Sequence, residues 1–278
     1  MSGKLYVVGT PIGNLGDMSP RAVETLSNVD FIAAEDTRVT VKLLNHFGIK
    51  TPMVSYHEHN KTSRHEVIAG RIAAGETCAI VTDAGMPAVS DPGEDLVKYC
   101  RDLGLEVESV PGPSALITAL AISGMPSGRF CFEGFLSVNK PSRYEHLESV
   151  KNDTRTLIFY EAPHKLLATL KDMFKCFGDR KIALLKELTK LHESCERTTL
   201  SAAVQKYSEQ EPKGEFVVIV EGMSKAESIS QPTLEDAVKT ATELMDGGMS
   251  PTAAAKEAAS LTGLRKNEIY RALINNDK

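Results

Sequence analysis

Several things are scarce in this 278-residue chain, and each scarcity removes a class of protein. No apolar run approaches the roughly 20 residues that a bilayer-crossing helix requires. The first residues, "MSGKLYVVG", carry one lysine and pass straight into strand-like sequence, which argues against a signal peptide. The five cysteines (Cys78, Cys100, Cys131, Cys176 and Cys195) are scattered, odd in number and never spaced C-x-x-C. That usage points to a reducing cytoplasm and away from structural zinc or a disulfide framework. Positive charge is also short: the formal net charge of −5 excludes a broadly nucleic-acid-coating surface, so any such contact must come from local basic patches. The dinucleotide fingerprint G-x-G-x-x-G is missing, as is a Gly-Lys-Ser/Thr phosphate loop.

What is present is an ordinary hydrophobic content of 42%, enough for a substantial core. Short β-branched runs alternate with helical patterns over the first 110 residues. Strands are expected at Leu5–Val8, Phe31–Ala34, Met53–Ser55, Cys78–Val81 and Glu106–Val110. Ser19-Pro20 reads as N-cap and first helical residue, Gly48 as a helix stop and Thr62 as another cap. The alternation predicts a mainly parallel sheet covered by helices on both faces. After "VPGPSA" (110–115), where Ser114 can cap a new helix, a second α/β unit is expected. Its strands fall near Phe130–Glu133, Thr156–Tyr160, Ile182–Lys186 and Phe216–Val220. Beyond "GMSKAESISQPT" the pattern is helical only, with a turn at Gly247-Gly248. The expected division is 1–112 and 113–224, two α/β domains, and 233–278, a helical appendage.

Two loops carry the chemistry. "VVGTPIGNLGD" (7–17) follows a strand, but Pro11 has no N–H to offer an anion and the glycine spacing is wrong for polyphosphate. Such a loop admits a ligand close to backbone, or is a ligand-free glycine-rich turn. "VTDAGMPAVSDPG" (81–93) is denser still in Gly, Pro and Asp, at the strand end where open α/β sheets hold ligands. Asp83 suits a ligand amine or hydroxyls, while Ser90 or Asp91 suits the cap of a helix starting at Pro92.

Taken in order, "GTPIGNLGD", "AEDTR" (34–38), "SYHEHN" (55–60), "TDAGMPAVSDPG", "VPGPSA", "FEGFL" (132–136), "FYEAPHKL" (159–166), "KELTKLHE" (186–193) and "GEFVVIVEG" (214–222) resemble one family over nearly the whole chain. It is the ribosomal RNA small subunit methyltransferase I family of the tetrapyrrole methylase superfamily. The resemblance implies a tetrapyrrole methylase-like α/β fold of two domains with a cleft between them, and a homodimer. It also implies S-adenosylmethionine as cofactor and the ribose 2′-hydroxyl of a cytidine in the decoding region of 16S rRNA as substrate. By motif position the cofactor would meet Pro11, Asp83, Gly85, Met86, Pro87, Ser114, Ala115, Tyr160, Glu161, Ala162 and Leu188. The chain departs from the family's FLP-x-K: Ser137 stands where Pro is expected and Asn139 where Lys is, with Lys140 one position later. Lys165 replaces an arginine.

Methyl transfer from a sulfonium chiefly needs alignment, although a proton acceptor near a ribose hydroxyl helps. Asp36 or His57 is expected to serve. Asp36 or Thr37 reads equally as the cap of a helix beginning near Arg38. His57 and His59 lack a third metal ligand in the sequence, and no metal is expected. RNA contacts are assigned to Arg38, His59, Lys140, Arg143, Lys165, Lys190, Arg265 and Lys266. "GLRKNEIYRAL" (263–273) resembles a helix-turn-helix, but Ala253, Ala254, Ala258, Leu261, Leu264, Ile269 and Leu273 also form a packing face. Two other readings stand beside the rRNA enzyme: a methylase of tetrapyrrole carbon in corrin synthesis, and a non-enzymatic nucleic-acid-binding protein.

Overall fold

The computed structural model describes residues 3–224 and 233–276. The chain forms two compact units, residues 1–151 with 155–221, and residues 152–154 with 222–278.

The first unit opens with strand–helix alternation: β1 (Lys4–Val8), α1 (Pro20–Asn28), β2 (Phe31–Ala34), α2 (Thr37–His46), β3 (Met53–Ser55), α3 (Lys61–Ala73), β4 (Cys78–Val81), α4 (Glu94–Asp102) and β5 (Glu106–Val110). The five strands pair in parallel in the order β3-β2-β4-β1-β5. β2 and β4 are buried at every residue, as a parallel strand covered on both faces must be. Alternate side chains feed opposite cores. Ile32 and Ala34 pack with Ala22, Leu26 and Leu44 of α1 and α2, whereas Phe31 and Ala33 pack with Ile68, Ile72 and Leu96 of α3 and α4. The connection leaving β2 runs to β3 and that leaving β4 runs the other way, to β5. The adjacent ends of β2 and β4 are therefore a topological switch point, where such sheets open a crevice.

The second half of the unit comprises α5 (Ala115–Ser123), β6 (Phe130–Phe135), α6 (Lys140–Val150), β7 (Thr156–Glu161), α7 (Pro163–Phe177), β8 (Lys181–Lys186), β9 (Ser194–Thr199), α8 (Leu200–Glu209) and β10 (Phe216–Val220). Its sheet, ordered β6-β7-β10-β8-β9, is mixed: β6 and β7 are parallel and the other pairs antiparallel. β6 extends past Glu133 through a bulge between Phe132 and Gly134. β9 was not expected; "SCERTT" is an edge strand of polar residues with no apolar stripe to announce it.

Two expected caps are corrected. α3 begins at Lys61, so Thr62 lies inside it; the Asn60 carboxamide turns back to the His57 N–H at 2.9 Å, and Lys61 N–H bonds the His57 carbonyl at 3.0 Å. α4 begins at Glu94 rather than Pro92, with Gly93 (φ 132°) as its N-cap. Left-handed backbone at Ala88 (φ 67°) and Ser90 (φ 63°) folds the preceding loop back on itself, so neither Ser90 nor Asp91 caps the helix. Ser19 and Ser114 do occupy N-cap positions, Ser19 accepting from the Ala22 N–H at 3.1 Å and Ser114 without a side-chain bond.

The second unit holds α9 (Leu234–Asp246), α10 (Pro251–Thr262) and α11 (Lys266–Asn276). Thr233 and Asp236 form a reciprocal capping box, Ser250-Pro251 starts α10 and Gly263 closes it in the left-handed region. Small residues let these helices approach closely: Ala237, Ala241, Ala254, Ala255 and Ala258 surround Ile269 and Leu273. Ala253 and Leu261, expected on the packing face, are exposed, and Ala255 takes their place. No described helix of either unit is long and apolar enough to cross a membrane.

Candidate active site at the strand ends

The loop after β1 is clamped between two others. Thr10 forms an antiparallel bridge with Gly85, through bonds of 2.9 and 3.1 Å, and its hydroxyl donates to the Thr82 carbonyl at 3.1 Å. On the other side, Gly9 lies flat against Gly112. A methyl group on Gly9 would come within 2.6 Å of both the Gly112 Cα and the Met86 sulfur, so only glycine permits the contact. Ile12, from the same loop, packs in one cluster with Ala115, Tyr160 and Leu188. The Tyr160 hydroxyl accepts the Leu116 N–H at 2.9 Å, satisfying an orphan donor in the first turn of α5. Pro11, Gly85, Met86, Ala115, Tyr160 and Leu188 thus converge from five separate segments. Glu161 differs: its carboxylate is buried, accepting from the Ala162 N–H at 2.8 Å and the Thr169 hydroxyl at 2.5 Å at the start of α7.

Acidic groups gather at the switch point. Glu35 accepts from the Thr82 hydroxyl at 2.5 Å and from the Asp83 N–H at 3.4 Å. Asp83 accepts the Asp36 N–H at 3.2 Å. Burial, reinforced by Glu35, pushes the Asp83 carboxyl up. Asp91 is pushed up further, to about 6, by burial first and then by Glu35 and Asp83, while the Thr82 hydroxyl opposes the shift. Asp91 belongs to this cluster, a role the sequence did not suggest because Asp-Pro-Gly before a helix looks like capping. The folding back of its loop is what brings it in.

The two expected proton acceptors are placed differently. Asp36 is the N-cap of α2, accepting the Arg38 N–H at 2.8 Å and pairing with the guanidinium at 2.6 Å; Arg38 holds its carboxyl at about 2. Its backbone reaches Asp83, so it borders the cluster. His57 bonds within its own turn, Nε2 lying 3.2 Å from the Asn60 amide nitrogen and Nδ1 buried without a partner.

The basic residues are dispersed. Arg38 is exposed at the start of α2, and Lys190 pairs with Glu187 and Glu215 while its stem covers Gly13 of the first loop. Lys140 and His59 are exposed, and Lys165 is half-buried in α7. Arg143 is withdrawn from solvent, paired with Asp172 at 2.7 Å, which also accepts from the Tyr144 hydroxyl. Arg265 and Lys266 are exposed in the second unit. No three His, Cys, Asp or Glu side chains among the described residues are grouped to hold a metal ion.

The site thus lies in an α/β protein of one parallel and one mixed sheet, with glycine-tight loops and carboxylates at the parallel strands' ends. The family model for tetrapyrrole (corrin/porphyrin) methylases matches residues 4–204, and that for the RsmI C-terminal HTH domain matches residues 231–276. Solved structures agree in fold. Uroporphyrin-III-C-methyltransferase from Thermus thermophilus superposes with a TM-score of 0.56 at 18% identity, covering 78% of this chain and 94% of that one. A diphthine synthase gives 0.61 at 12%, covering 82% and 93%. Proteins named ribosomal RNA small subunit methyltransferase I are far more similar in sequence. The one from Synechocystis sp. is 46% identical, over 97% of this chain and 96% of its own. That from Escherichia coli O157:H7 is 43% identical over 97% and 94%. That from Thermotoga maritima is 47% identical over 220 residues, 99% of its length but 79% of this chain. The chain belongs to the ribosomal RNA small subunit methyltransferase I family, within the tetrapyrrole methylases.

Proposed function

We propose that this protein transfers a methyl group from S-adenosylmethionine to the ribose 2′-hydroxyl of a cytidine in the decoding region of small-subunit rRNA, acting in the cytoplasm as a homodimer. The observation that carries the reading is the carboxylate cluster of Glu35, Asp83 and Asp91 beside loops that only glycine can pack. Such a site suits a ligand bearing a sulfonium and an ammonium, and repels polyphosphate. When bound, the cofactor supplies a methyl group already activated for displacement.

The chain's own residues then have three tasks. The Pro11, Gly85–Pro87 and Ser114–Ala115 segments would hold the cofactor through backbone contacts, with Tyr160 and Leu188, which pack with Ala115 and Ile12, behind them. Asp83 and Asp91 would hold its positive charge. The proton of the ribose hydroxyl becomes strongly acidic only as the new C–O bond forms, so a weakly basic acceptor at the right place suffices. Asp36, whose N–H bonds Asp83 at the edge of the cluster, is the acceptor this reading prefers to His57, whose hydrogen bonds stay in its own turn.

The test is transfer of labelled methyl to small subunits from cells lacking the protein, mapped by nuclease digestion and alkali resistance, with Asp83→Ala alongside. Alkali-resistant label on one decoding-region cytidine, lost in the variant, is the expected result. Cofactor binding without rRNA labelling would overturn the substrate and favour the tetrapyrrole alternative. Failure to bind cofactor would leave a nucleic-acid-binding protein.

A further inference from the structure

A cavity of about 230 Å³ opens next to the acidic cluster, between the loop after β1 and α2. Pro11, Val39 and Leu43 give it apolar walls, and Thr40, Lys42 and Asp83 give it polar ones. An apolar cavity of about 150 Å³ is enough to take a benzene ring, so this one holds a single flat ring with its substituents.

Thr40 stands out. It is only 3% exposed, and its hydroxyl oxygen is buried with no hydrogen-bond partner. A helical threonine ordinarily satisfies its hydroxyl on the carbonyl four residues back. Thr240, Thr242 and Thr262 of this same chain all do so, at 2.9, 2.9 and 2.6 Å. A buried hydroxyl left unpaired is costly. Thr40 lines the cavity with its hydroxyl turned aside, and rotation about Cα–Cβ is what would bring that hydroxyl to a ligand there.

We propose that this cavity receives the pyrimidine base of the target nucleotide, unstacked from its RNA, with Thr40 and Lys42 bonding its polar edge. The proposal rests on the RNA-methylation reading above and adds the place where the target is held. The cavity shares Pro11 and Asp83 with the cofactor site. The ribose carbon that bears the 2′-hydroxyl is bonded to the one that bears the base, so a base seated here keeps the hydroxyl close to the cavity and to Asp83, which lines it. A stacked nucleotide cannot enter, which makes the enzyme act on a single-stranded or extruded residue.

Two variants of the full-length protein test this. Thr40→Val keeps the shape and removes the hydroxyl; Val39→Trp fills the cavity from a position already 39% exposed. Both should bind S-adenosylmethionine by calorimetry as wild type does. Thr40→Val should melt at the same or a higher temperature, because an unpaired polar group is gone, yet lose about tenfold or more in kcat/KM on unmodified small subunits. A purely structural Thr40 would not separate stability from activity in this way. Cytidine should give saturation-transfer signals with the wild type that Val39→Trp abolishes. Wild-type kcat/KM in both variants would overturn the proposal. If the wild type itself labels no rRNA, the methylation reading fails, and the cytidine measurement decides the cavity alone: signals lost in Val39→Trp uphold it as a pyrimidine site, and no signal overturns it.

Discussion

At the scale of single residues, Asp91 gives the sharpest prediction. Burial together with Glu35 and Asp83 raises its carboxyl to about 6. Between the ordinary carboxylate value and that one, the folded protein binds more protons than the unfolded chain, so this residue's contribution to stability falls as pH rises through the window. Binding a cation runs the opposite way, because only the ionised carboxylate attracts it. Affinity for S-adenosylmethionine should therefore climb with pH through about 6 and level off above about 7. At pH 5 it should be lower by about tenfold, and Asp91→Asn should be weak and flat across the range. Calorimetry from pH 5 to pH 8 reads this; an equally steep profile in Asp91→Asn would assign the titration to another group. Much of this site was legible in the sequence, and what escaped was geometric. Asp83 was visible because it follows a strand directly. Asp91 was hidden because two non-glycine residues, Ala88 and Ser90, adopt left-handed backbone that no pattern of residue types announces. Thr40 escaped because a threonine within a helix carries no signal until its missing partner is seen.

At the scale of elements, Arg143 shows how a basic residue acquires another task. Sequence reading places it among the RNA contacts, because it matches a basic position of the family it resembles. In the fold it ties α6 to α7 by pairing with Asp172, both side chains about one-tenth exposed, while Tyr144 donates to the same carboxylate. Removing one partner strands the other, so Asp172→Ala should cost about 3 to 5 kcal/mol, read as a lower urea midpoint with an unchanged slope. Replacing Arg143 and Asp172 together by methionine and leucine should recover most of that loss. A variant Arg143→Met that keeps its stability but loses rRNA affinity would reassign the residue to the substrate. The strands tell a parallel story. The buried parallel ones were legible as short apolar runs, because a strand covered on both faces cannot be anything else. β9, with Glu196 and Arg197 in its middle, answers to its partner β8 rather than to its own composition.

At the scale of the whole molecule, the two compact units divide the labour. All the loops that meet at the carboxylates, and both sheets, belong to residues 1–151 and 155–221. The helical unit has its own alanine-lined core and its own caps. The Thermotoga maritima relative, matched over 99% of its length in 220 residues, has about the size of the α/β unit alone. A chain ending at Glu221 should therefore fold in one cooperative transition and bind S-adenosylmethionine within about twofold of the full chain, as expected for independent units. Its methylation of small subunits should fall mainly through KM. A protein of net charge −5 has few cations to spare for RNA, and the truncation removes Arg265, Lys266 and Arg271 from one end of the chain. Each lost phosphate contact also lowers the steepness with which salt weakens binding, so the truncated chain should show a shallower salt dependence as well as a weaker affinity. Were the truncated chain to keep KM and salt slope but lose cofactor binding, the helical unit would be a support for the active site and not a grip on RNA.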